Sequence, residues 1–125
     1  MSPVVLAQLE ALKTRHPDAG WEELLDGVIR VVVPSTPIPS GWSTATVSVH
    51  FVLPVGFPVA TPDCFWTDAD LRLADGQMPQ NTGNTPMPGA TEPLLWFSWH
   101  TQAWDSASRV SHWLRAIMQR FEAAR

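Results

Sequence analysis

Apolar residues fall at helical spacing at both ends of the chain and alternate, or cluster in short runs, between them. Val5, Leu6, Leu9 and Leu12 form one stripe, which predicts a helix over Ser2 to Arg15, with Ser2 as N-cap and Pro3 at the first helical position. His16-Pro17-Asp18 ends it. In WEELLDGVIRVVV, Asp26-Gly27 signals a two-residue hairpin turn, so Trp21 to Leu25 is read as a first strand and Val28 to Val33 as a second. WEELL also fits a helix. PSTPIPSGW reads as a proline-rich loop. Over Thr44 to Leu53, Val47, Val49 and Phe51 alternate with Ser48, His50 and Val52, the period of a strand with one apolar face. The rigid stretch PVGFPVATPD leads to a fourth predicted strand at Cys64 to Thr67. Asp68 to Pro93 has no period and is rich in Gly, Pro, Asn, Thr and Asp; a loop of that length in a compact domain is functional or disordered. Asp105 is read as N-cap of the last helix, whose stripe is Val110, Leu114, Ile117, Met118 and Phe121. Arg109, Arg115 and Arg120 lie mostly off that stripe, and Arg120 and Arg125 suit the negative end of the helix.

Helix, four-stranded antiparallel meander, long loop, helix is an α+β arrangement, in a chain whose 125 residues fit a single domain, 1–125. The formal net charge of −4 and the absence of any Lys/Arg block speak against a nucleic-acid partner. The first residues, MSPVVLAQLEALKTRH, are amphipathic rather than leader-like, and no apolar run approaches the roughly 20 residues that cross a bilayer, so no membrane role is expected. A single cysteine fits the reducing cytoplasm. Twelve prolines, seven tryptophans and no tyrosine set the chain apart from average composition.

Cys64 is the one thiol, and its role separates two classes of protein. As a nucleophile it would make the chain an enzyme; as a buried small hydrophobe, which is the usual state of free cysteine, it would leave a binding module. Trp66 lies two residues on, on the same face of the predicted strand, and the neighbouring Asp63 carboxylate raises a thiol pKa rather than lowering it. His100, between Trp99 and Trp104, is a candidate general base; it also fits an aromatic-packed, hydrogen-bonded histidine. Trp96, Trp99 and Trp104 are close enough in sequence to share a binding surface, or to form part of a core of large residues. Trp113 is read as core, and Asp75 with Gly76 builds a turn or lines a site. The remaining histidines, His16, His50 and His112, are scattered, no metal-ligand spacing occurs, and LADGQMP is no phosphate loop, so neither metal nor cofactor is expected.

The order of motifs resembles the ubiquitin-conjugating enzyme fold. LPVGFPVATPDCFW is similar to that superfamily's "F-P-x-x-Y-P-x-x-P-P-x-x-x-F", with Phe57-Pro58, Thr61-Pro62 and Trp66 at its marked positions. The likeness is to a bacterial branch, prokaryotic family E, with "L-P-x-G-Y-P-x-x-x-P-D-M-F" and "L-R-L-x-D-G-x-x-P". Those stand here as Leu53-Pro54, Gly56-Phe57-Pro58, Pro62-Asp63 and Phe65, then Leu71-Arg72-Leu73, Asp75-Gly76 and Pro79. IPSGW, Trp96, Ser98-Trp99-His100 and Trp104 extend the likeness over roughly residues 25 to 121.

The resemblance implies a carrier of a ubiquitin-like protein, held as a thioester on a cysteine beyond a His-Pro-Asn turn. It also implies the company of an activating enzyme, a ubiquitin-like protein and a metal-dependent deubiquitinating peptidase. The chain departs from this pattern. No His-Pro-Asn is present, and no cysteine lies between Thr67 and Arg125. Two readings follow. One is a non-catalytic variant that binds a ubiquitin-like protein or its activating enzyme. The other is an active carrier with a relocated nucleophile, as a thioester on Cys64 or an oxyester on Thr82 or Thr85, assisted by His100. An adaptor outside ubiquitin-like chemistry, for example in phage defence, is a more remote third.

Overall fold

The computed structural model describes residues 1–125. Helix α1 spans Pro3–Arg15, with the Ser2 hydroxyl accepting from the Val5 amide at 3.2 Å. Six strands follow: β1 (Gly20–Glu23), β2 (Ile29–Pro37), β3 (Thr46–Leu53), β4 (Phe65–Asp68), β5 (Thr82–Gly83) and β6 (Leu94–Phe97), and then helix α2 (Val110–Glu122). They form one antiparallel sheet in the order β1-β2-β3-β4-β6-β5. The four-stranded meander is therefore present and is lengthened by two further strands, both drawn from beyond β4. The predicted hairpin at Asp26-Gly27 forms, but the Leu24 amide bonds the Val28 carbonyl, so its loop has three residues, Leu25 to Gly27, with Gly27 at φ +88°. β2 runs on through Pro34 to Pro37, past an irregularity between Val33 and Thr36, into the stretch read as loop.

Alternation sorts the sheet into two faces. Ile29, Val31 and Val33, then Val47, Val49, Phe51 and Leu53, then Phe65, Leu95 and Phe97 point inward. Both helices cover that face: Val5, Leu9 and Leu12 from α1, and Val110, Trp113, Leu114, Ala116, Ile117 and Phe121 from α2. Leu6, read as part of the α1 stripe, is 38% exposed instead. Phe65 stacks on Phe97 with ring centres 4.7 Å apart, and Phe121 packs edge-on against both. Arg30, Ser48, His50, Trp66, Asp68 and Trp96 alternate with these inward residues and so project to the outer face, where residues 84–93 cross. No helix is long and apolar enough to cross a membrane.

Two expectations about α2 are corrected. Asp105 does not cap it. Its carboxylate accepts from the Ala107 amide at 2.8 Å and its amide donates to the Ser108 hydroxyl, which makes a separate turn ahead of the helix. The helix begins at Val110, whose amide donates to the Gln8 side chain of α1 at 2.9 Å, so the two helices are tied end to side. Arg120 does bond the negative end of the helix, as expected, but it lies within the buried face rather than off the stripe. It is 5% exposed, lies over the Trp42 and Phe97 rings, and donates to the carbonyls of Gln80, Ala123 and Arg125. The long loop is ordered partly by this contact and partly by the Trp42–Leu73 bridge.

Because the inner face is closed by three aromatic rings in mutual contact, truncating one opens a cavity the others cannot fill. Phe97→Ala is expected to cost about 3–5 kcal/mol, read by denaturant unfolding.

Candidate functional site

The residues singled out from sequence gather where the Pro54–Asp63 connection enters β4. The turn is held by backbone bonds from Phe57 to Pro54 and from Ala60 to Gly56. Trp104 crosses it, donating its indole N–H to the Pro58 carbonyl at 2.8 Å and laying its ring 5.9 Å from that of Phe57. Trp99 donates to the Ala116 carbonyl of α2 at 2.7 Å. Both indoles thus have their polar ends committed to the scaffold. Trp96 stands on the outer face opposite Trp66, over Gly83, where a side chain's first carbon would lie 3.3 Å from the Trp96 ring.

Cys64 is the last residue before β4 and is only 9% exposed. It takes φ +60°, a conformation that costs most residues other than glycine, and its amide donates to the Trp99 carbonyl at 2.9 Å. It precedes β4, so the alternation that would set it beside Trp66 does not apply, and it stands outside the main core cluster. Burial pushes the thiol pKa up, and the Trp99 backbone beside it works the other way. The Asp63 carboxylate adds to the rise and the Trp96 side chain opposes it. The balance favours the neutral thiol, the unreactive form.

Asp63 and His100 form a pair that sequence reasoning did not foresee, with the His100 Nδ1 against the Asp63 carboxylate and both side chains largely in solvent. They are 37 residues apart, joined because β4 and β6 are neighbours, which no local signal reveals. The pair fixes one ring nitrogen and leaves Nε2 free, the arrangement that orients a histidine as a base. A cleft of about 410 Å³ is lined by Thr101, Trp104, Ser108, His112 and Arg115 among others, but by neither Asp63 nor His100.

The other candidates lie apart. Thr82 is on β5 opposite Phe97, and its hydroxyl donates to the Pro79 carbonyl at 2.7 Å. Thr85 is exposed, and its carbonyl accepts from the Trp66 indole at 2.7 Å. Neither hydroxyl is bonded to a histidine. Asp75 is at an exposed turn, its carboxylate accepting from the Gln77 amide at 2.9 Å with Gly76 at φ +88°. No three His, Cys, Asp or Glu side chains are placed to hold a metal ion.

With this geometry in view the chain can be placed. The sequence profile of prokaryotic E2 family E matches residues 8–124. The chain belongs to that family. Helix, antiparallel sheet and helix have the arrangement of the ubiquitin-conjugating fold, and family membership makes this a conjugation-related protein. No curated protein and no solved structure gives a significant match.

Trp104→Phe keeps the ring on Phe57 and removes one part-buried N–H bond. It is expected to cost about 1 kcal/mol in denaturant unfolding, whereas Trp104→Ala, which also removes the ring, costs about 3 kcal/mol or more.

Proposed function

We propose that this member of prokaryotic E2 family E is a non-catalytic variant that binds a ubiquitin-like protein, or the enzyme that activates it, and does not itself carry the thioester. The observation behind this reading is the state of the one thiol. A carrier needs a nucleophile in the open, beside a groove for an extended C-terminal tail, and ionised enough to attack. Cys64 is 9% exposed, its pKa is raised by burial, and its neighbour Asp63 adds to the rise. No other cysteine exists to replace it. Binding needs only a surface, and the half-buried Trp96, Trp99, Trp104 and Thr82 with the exposed Asp75 and Thr85 are the residues assigned to it. The reducing cytoplasm is the compartment assigned, since it keeps a lone thiol reduced.

A second reading keeps the carrier function, and the Asp63–His100 pair favours it. A histidine oriented by a carboxylate is a competent base, and Asp63 adjoins Cys64 in sequence. Under this reading a shift of the Pro54–Asp63 connection would present Cys64, or Thr82 or Thr85 would accept the chain as an oxyester.

Maleimide labelling separates the two at the thiol. The non-catalytic reading expects Cys64 to stay unlabelled in native protein at neutral pH and to label fully in denaturant, read by intact mass. Fast native labelling that slows in Asp63→Asn or His100→Gln would support the carrier instead.

A further inference from the structure

Residues 84–93 lie across the outer face of the sheet and are fastened to it at four points. The Trp66 indole N–H donates to the Thr85 carbonyl at 2.7 Å. Met87, in the middle of the segment, is 3% exposed. Arg30 of β2 donates to the Gly89 carbonyl at 3.0 Å and to the Glu92 carboxylate at 3.1 Å. Gly89, at φ +77°, sits against Leu24 so closely that an added side-chain carbon would lie 3.0 Å from it. No strand or helix pairing holds this segment, so its closure rests on these few side-chain contacts.

His50 stands among them. It is directly opposite Trp66 in the sheet register and is 7% exposed. Its Nδ1 has no hydrogen-bond partner in the protein, and neither has the buried Nε of Arg30. The charged groups that face it are Arg30 from β2, Asp68 from β4 and Glu92 from the segment itself. Asp68 is engaged with the Ser48 amide at 3.0 Å, and Glu92 with Arg30. A proton on His50 would therefore be buried beside the Arg30 guanidinium and would compete with it for Glu92, the contact that anchors the end of the segment.

We propose that residues 84–93 are a strap that opens when His50 takes up a proton, baring Trp66 on the outer face. The direction agrees with the electrostatics. Burial, and then Arg30, lower the pKa of His50 from its ordinary 6.5, against the opposing pull of Asp68 and Glu92. A histidine whose pKa is lowered by closure stabilises the closed form fully above its ordinary pKa. That stabilisation is lost as the pH falls below this value toward the depressed one, by at most about tenfold in the closed-to-open ratio per pH unit for one proton.

Two methionines report the state directly. Met87 is buried within the strap, while Met78 is 54% exposed on the preceding loop. A brief hydrogen peroxide pulse on the whole chain, at about pH 7.5 and about pH 5.5 on either side of the histidine range, is followed by digestion and mass spectrometry, with far-ultraviolet circular dichroism recorded alongside. The expected result is several-fold faster Met87 oxidation at the lower pH, at an unchanged Met78 rate and an unchanged dichroism spectrum. In His50→Gln, and in His50→Leu should the first variant not fold, Met87 oxidises at the same rate at both pH values. Three results would overturn the proposal: Met87 equally protected at both pH values, the same acceleration in the His50 variants, or acceleration only together with loss of the dichroism signal.

Discussion

Phe65 lies flat on Phe97, and the rest of the molecule takes its arrangement from that contact. The two rings fix the register of β4 against β6, strands separated in sequence by the whole of the long loop. Once Phe65 and Phe97 point inward, pleating sends Trp66 and Trp96 outward as a facing pair and leaves Cys64 just ahead of the strand. The same register brings the chain after β6 alongside the chain before β4. That is why the Trp99 carbonyl meets the Cys64 amide and His100 meets Asp63. Phe121 closes the inner face from the helix side, and Arg120 beside it reaches back to Gln80. Sheet, helix and loop are thereby locked around one aromatic cluster.

The two faces of the sheet are stabilised by different physics, and this bears on function. The inner face is apolar burial against both helices, non-directional and broad. The outer face is covered by one irregular segment held by an indole, a guanidinium and one buried methionine. Contacts of that kind are few, directional and sensitive to charge, so this is where a conformational change costs least. The face that carries Trp66 and Trp96 is thus the adjustable one, while the region around Cys64 is fixed from both sides. The one sulfur of the chain's cysteine is buried just ahead of β4.

Much of this could be read from the residues, and the failures are instructive. The meander was legible because Val47, Val49 and Phe51 alternate cleanly and because Asp26-Gly27 marks a turn. The family was legible from ordered Pro, Gly and aromatic motifs. β5 and β6 were not foreseen: Thr82–Gly83 has no pattern of its own, and LLWF is too short and uniformly apolar to show a period. The helix-end role of Arg120 was legible, but its burial was not, because that depends on Trp42 and Phe97, both remote in sequence. Asp105 has the right chemistry for a helix cap, but the Ser108 hydroxyl turns the backbone into a separate loop first. The strap and the His50 environment depend on pairings across the sheet that no local signal encodes.

The central claim is that this chain binds the conjugation machinery without becoming charged by it. The direct measurement is the intact mass of the protein after incubation with ATP and the activating enzyme and ubiquitin-like protein of its own conjugation system. The account predicts an unchanged mass, with the chain recovered in a non-covalent complex with one of the two. An adduct of one ubiquitin-like protein, lost on treatment with thiol for a Cys64 thioester or with hydroxylamine alone for a threonine oxyester, would contradict it.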